Sequence, residues 1–140
     1  SYGSRGLGDV YKRQIESFIL GKDVDDAIHR AKTYIDSGAD GIMIHSKTND
    51  FSQILSFCDK FKYVKKKVPL VVVPSTYNKV KEEELIKAGV DIVIYANHLL
   101  RSSYPAMVNT AKSILQNKRC YEASVGCLPI KKVLELIPNE

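Results

Sequence analysis

Apolar residues recur at intervals of three and four at Val24, Ala27, Ile28, Ala31, Tyr34 and Ile35, and Gly38 follows them. That spacing predicts an amphipathic helix over 23–37, stopped by a glycine able to turn left-handed. The period then changes. A short apolar run over 41–44 ends in polar His45, Ser46 and Lys47, the pattern of a strand buried on both faces. A second helix is predicted over 50–63, a second buried strand over 69–73, a third helix over 81–87 leading through Gly89, and a third strand over 92–95. A longer helix over 103–117, with Pro105 in its first turn, and a short one over 129–136 complete the pattern.

Two stretches share a register: SGADGIMIHS over 37–46 and AGVDIVIYAN over 88–97. Each reads as a helix stop feeding a buried strand. Buried strands alternating with helices imply a parallel sheet, so the class is α/β. Pattern alone leaves open a small doubly wound sheet or part of a (β/α) barrel, because both use the same unit. A complete eight-unit barrel takes about 250 residues, so a chain of 140 supplies about half.

Composition narrows the classes. With 44% hydrophobic and 26% charged residues, the chain fits one globular domain and neither a disordered nor a collagen-like class. Its longest apolar run, over 68–73, is far short of the roughly 20 residues that span a bilayer. No charged-then-apolar leader opens it, so a cytoplasmic protein without a membrane partner is expected. Cys58, Cys120 and Cys127 are odd in number and lack C-x-x-C spacing, which predicts reduced, mostly buried thiols rather than disulfides or zinc. The formal charge of +5 invites nucleic acid, but residues 1–14 hold Arg5, Lys12 and Arg13 against Asp9, and the remaining charge is ordinary; no nucleic-acid partner is expected. Residues 1–14 have no periodicity and resemble a translated sequencing adapter. They are set aside as a non-native leader, and residues 15–140 are taken as the domain.

In either architecture ligands collect at the carboxyl ends of parallel strands. Those positions hold His45, Ser46 and Lys47, then Ser75, Thr76 and Tyr77, then Asn97 and His98 with Arg101 behind; Glu16 joins them if Ile15 ends an earlier strand. Such a group could hold an anionic small molecule, a carboxylate or a phosphate, through charge-assisted hydrogen bonds. Each has a plainer alternative: a strand-end cap for His45, solvated charges for Lys47 and Arg101, and turn formers for Asn97 and His98. Asp23, Asp25 and Asp26 resemble a metal cluster but fall in the first turn of a helix, where carboxylates favour the dipole. The lysines of 61–67 read as solvated, His29 as exposed and Cys58 as core.

The segments IESFILGKDVDDAIHRAKTYIDSGADGIMIHSK, PLVVVPSTYN, AGVDIVIYANHLLRSSYPAM and CLPIKKVLELIP closely resemble the phosphoenolpyruvate mutases of the isocitrate lyase superfamily. The resemblance implies a (β/α)8 barrel, of which this chain holds the C-terminal half, from the last turn of strand five through strand eight and the terminal helices. It implies interconversion of phosphoenolpyruvate and phosphonopyruvate in phosphonate biosynthesis, in dimers or tetramers. Magnesium would be held by residues of the first four strands, so no metal ligand is assigned here and the chain alone is expected to be inactive. Carried over by position, His45 grips the migrating phosphoryl group and Glu16 is the acidic residue after strand five. Ser46, Asn97, His98 and Arg101 are assigned to substrate. The family's arginine before Ile-Glu-Ser is Gln14 here, and Arg13, one place early, would point to the other face. Phosphonopyruvate hydrolase is the nearest alternative, and isocitrate or methylisocitrate lyase a more distant one. A non-catalytic α/β module for an anionic metabolite is the alternative of another class, against which an unpaired sheet edge counts.

Overall fold

The computed structural model describes residues 12–136, with side-chain environments from residue 13 onward. Residues 1–11 of the supposed leader lie outside that range. Lys12, Arg13 and Gln14 fall, with Ile15, in strand β1 (Lys12–Ile15). The contacts group into two units, Ser1–Ala96 and Asn97–Glu140.

The first unit runs β1, α1 (Val24–Asp36), β2 (Gly41–Ile44), α2 (Ser52–Phe61), β3 (Leu70–Val72), α3 (Glu82–Ala88) and β4 (Ile92–Val93). All neighbouring strands are parallel and their order is β1-β2-β3-β4. A doubly wound sheet reverses its strand order at a switch point, whereas a barrel advances one strand at a time. The observed order is the barrel's.

Local chemistry sets the boundaries. Asp23 caps α1 by accepting from the Asp26 N–H at 2.9 Å. At the other end Gly38 turns left-handed at φ +92°, so that its N–H reaches the Ile35 carbonyl and the Ala39 N–H reaches that of Tyr34. Gly89 repeats the arrangement at φ +90°, with the Val90 N–H returning to Leu85. The repeated sequence is thus a repeated Schellman-type stop. Asp91 adds a tie, its carboxylate accepting from the Leu70 N–H at 2.8 Å.

One face of the sheet, with Ile15, Ile42, Ile44, Leu70 and Val72, packs under Ala27, Ala31 and Ile35 of α1 and Ile54, Phe57 and Cys58 of α2. Phe57 and Phe61 stack with centroids 5.3 Å apart. Each fully buried aliphatic or aromatic side chain contributes about 1.5–3 kcal/mol, against about 0–1 kcal/mol for an exposed ion pair such as Lys62–Asp59. The core therefore holds this unit, and the lysine run is surface, as expected. Cys58 is buried and His29 exposed, also as expected. Cys120 and Cys127 are exposed, correcting the expectation of mostly buried thiols.

The last strand differs from its sequence pattern. Only Ile92–Val93 pair, and Ile92 and Tyr95 are exposed, because β4 lies at the edge of the sheet with β3 as its partner. The second unit comprises α4 (His98–Asn117), a 3-10 turn (Ala123–Gly126) and α5 (Ile130–Glu135). α4 starts five residues before the expected position, so Pro105 sits inside it rather than in its first turn. Asn97 makes the early start feasible by adopting φ +52°, a left-handed conformation that asparagine tolerates. Among the described residues, no helix is long and apolar enough to cross a membrane.

Tyr77 follows β3 and turns inward beside Phe51, ring centroids 5.8 Å apart, with its hydroxyl buried and lacking a hydrogen-bond partner. Burial pushes that phenol well above its ordinary range. A buried hydroxyl without a partner costs about 1–3 kcal/mol. Tyr77→Phe is therefore expected to leave stability unchanged or raise it by about 1–2 kcal/mol, read as the urea midpoint. A fall in the midpoint would show that the hydroxyl is satisfied.

Candidate functional site

The carboxyl ends of β1 and β2 form the site. Their register sets Gln14 beside Met43 and Ile15 beside Ile44, so Glu16 and His45 leave the sheet side by side. The ladder continues through the His45 N–H, which donates to the Ile15 carbonyl at 3.2 Å. Ile15 thus ends a strand, which was the condition for Glu16 to join the site.

Alternation sorts the side chains of β1. Ile15 is fully buried against the helices, and the Arg13 guanidinium lies over the Tyr34 ring of α1, 5.9 Å from its centroid. Gln14 and Glu16 take the opposite face, where Gln14 Nε2 donates to Glu16 Oε1 at 2.7 Å. The Arg13 cation is thus directed toward α1, away from the Glu16 face.

His45 is half-buried, with Nε2 3.1 Å from the Met43 thioether. Burial holds its imidazole below the ordinary value, and the neighbouring Glu16 carboxylate pulls the other way. A thioether is a weak acceptor, so an anionic oxygen would displace it easily.

Ser46 is buried and its hydroxyl joins a polar cluster, donating to Gln53 Oε1 at 2.7 Å and accepting from the Thr48 N–H at 3.2 Å. Thr76 Oγ1 donates to the Ser46 carbonyl at 2.9 Å, and Lys47 Nζ to the Ile19 carbonyl at 3.1 Å. The β2 exit is thereby tied to the loops after β3 and β1. Ser17, behind Glu16, donates to Asp26 at 2.6 Å, and Asp26 also binds Arg30 at 2.7 Å. Those two hydrogen bonds, that of Arg30 first, lower the Asp26 carboxyl, in keeping with a structural rather than metal-binding carboxylate.

The first unit therefore brings together Glu16, His45 and Ser46. Asn97, His98 and Arg101 belong to the second unit, where the Asn97 carbonyl accepts from the Arg101 N–H at 2.9 Å to open α4. After β4 they open α4, and His98 and Arg101 are exposed in its first turn. Gln53 and Thr48 escaped the sequence reading. Gln53 sits in a helical pattern where it looks like any polar position, although Ser46-x-Thr48 is a recognisable side-chain turn. Among the described residues no group of three or more His, Cys, Asp or Glu could hold a metal ion.

A lowered histidine binds its proton later than it does in the unfolded chain. His45 thus withdraws stability as pH falls through the ordinary value of about 6.5, until its own lower value is passed. NMR titration of the His45 ring is expected to show a midpoint below that value. Glu16→Gln should depress the midpoint further, by removing the charge that favours the imidazolium.

Comparison with known proteins agrees with this geometry. The family model described as phosphoenolpyruvate phosphomutase matches residues 13–115. A phosphoenolpyruvate phosphomutase of Tetrahymena pyriformis is 32% identical over 123 residues, covering 88% of this chain and 40% of that protein. The crystal structure of phosphoenolpyruvate phosphomutase from Streptomyces platensis subsp. rosaceus superposes with a TM-score of 0.83 at 33% identity, covering 94% of this chain and 45% of that one. A phosphonopyruvate hydrolase solved with oxalate and Mg++ gives a TM-score of 0.80 at 32% identity, covering 91% and 44%. The chain thus spans less than half the length of these relatives, and its parallel strands correspond to part of their barrel. A sheet that advances one strand at a time, a histidine at a strand end and a family match over most of the chain lead to one assignment: the chain belongs to the phosphoenolpyruvate phosphomutase family.

Proposed function

We propose that this chain supplies the phosphoryl-binding part of a phosphoenolpyruvate mutase, which moves the phosphoryl group of phosphoenolpyruvate between oxygen and carbon three to give phosphonopyruvate. The observation that carries the reading is His45, held at a strand end beside Glu16 with its Nε2 resting on a weak acceptor. Phosphoryl transfer through a loose transition state needs positioning and charge stabilisation more than covalent help. The His45 ring N–H meets that need by donating to a phosphoryl oxygen, and a bound phosphoryl charge would favour its protonated form. Glu16, fixed by Gln14, favours the protonated ring and partly offsets the effect of burial. Asn97, His98 and Arg101 are assigned to substrate on the family pattern, within one barrel domain over 15–140.

The same reading includes magnesium, which a related phosphonopyruvate hydrolase structure holds with oxalate, and extends to phosphonate biosynthesis, a cytoplasmic setting and dimers or tetramers. Glu16 is the acidic group at the described strand ends, and one carboxylate does not fit a magnesium site by itself. No step here passes through the metal, and the chain alone is read as inactive.

The test is 31P NMR of phosphonopyruvate with magnesium, using this chain alone and joined to the remaining part of the Streptomyces platensis relative. Growth of a phosphoenolpyruvate signal with the joined protein, and none with the chain alone, is expected. His45→Asn should lower the rate about 100- to 1,000-fold, the effect of removing one donor to developing charge. Gln14→Arg should raise it, by placing a cation on the face that Arg13 does not reach. Release of pyruvate and inorganic phosphate would instead assign a hydrolase, and a folded joined protein producing neither would overturn the reading.

A further inference from the structure

Resting on that reading of His45, we propose that Ser46 is a positioning residue and not a substrate ligand: with Thr48, Gln53 and Thr76 it fixes the β2 exit from which His45 projects. A serine hydroxyl has one proton and two lone pairs. At Ser46 the proton goes to Gln53 Oε1 at 2.7 Å, a lone pair accepts from the Thr48 N–H at 3.2 Å, and the Thr48 hydroxyl lies 2.9 Å away. All three partners belong to the protein. The residue is also only 6% exposed, so little of it is left for a ligand to touch.

The cluster is well placed to act on its neighbour. Gln53 belongs to α2, which is packed into the core through Ile54 and Phe57. Thr76 holds the Ser46 carbonyl from the loop after β3. The Ile15 carbonyl holds the His45 N–H from β1. The His45–Ser46 segment is thus fastened from three elements, its main chain by β1 and by the loop after β3 and the Ser46 side chain by α2, and the His45 ring is left to lie along Met43. A phosphoryl group needs its donor in place before it arrives, and misplacement by about 1 Å can cost about 100-fold in rate. The groups facing the ring are Glu16 and Met43, with Gln14 engaged on Glu16.

The experiment uses the full chain and reads the His45 ring signal by NMR, identified as the resonance missing in His45→Asn. In the unliganded protein, Ser46→Ala and Thr76→Val are each expected to shift the His45 titration toward the ordinary histidine value, as the loosened exit lets the ring into water. Thr76→Ser, which keeps the hydroxyl, should restore the original curve. If Thr76→Val does not fold, Gln53→Met replaces it with the same expectation. Inorganic phosphate is then added as the probe. A ligand role for Ser46 would appear as weaker phosphate binding in Ser46→Ala with the unliganded His45 curve unmoved, and that result overturns the proposal. So does an unmoved curve in Thr76→Val. Moved curves in a chain whose His45 signal ignores phosphate would uphold the positioning role and remove the phosphoryl reading instead.

Discussion

The parallel pairing of β1 with β2 is the constraint on which the site depends. Its register makes Glu16 and His45 neighbours, and the hydrogen bond from His45 to Ile15 extends the ladder one residue beyond the strands. A slip of one residue would turn every side chain of β1 to the other face. Gln14 and Glu16 would then enter the helix layer, and Arg13 would leave its place over Tyr34. Ile15, fully buried between sheet and helices, resists that slip, because the alternative buries a carboxylate and exposes an isoleucine.

Much of this fold could be read from the sequence because it is written in local rules. The α1 periodicity, the Asp23 cap and the Gly38 stop each act within one turn of chain, and the observed helix ends one residue before the expected limit. Parallel strands buried by helices give apolar runs, which located β2 and β3 closely. Strand order is another matter. Advance without reversal is a long-range property, and periodicity left two architectures open that the pairing then separated.

The misreadings share a cause, since each needed a neighbour the sequence does not name. The apolar run over 92–95 looked like a buried strand, and only Ile92–Val93 pair, at the edge of the described sheet. The α4 start was placed at Pro105's preferred position, when Asn97 had already turned the chain. At the site, His45 and Glu16 follow from strand ends alone. The engagement of the Ser46 hydroxyl depends on Gln53, seven residues on, and on Thr76 in another loop.

The two left-handed glycines separate scaffold from chemistry. Counting seven residues from Gly38 reaches His45, and the same count from Gly89 reaches Ala96. Both stops deliver the chain into the sheet with the same phase, one ending in an imidazole and the other in a methyl group. A duplicated unit of this kind works as an address. The stop and the apolar run specify where a side chain will stand, and the residue placed there can change without disturbing the delivery.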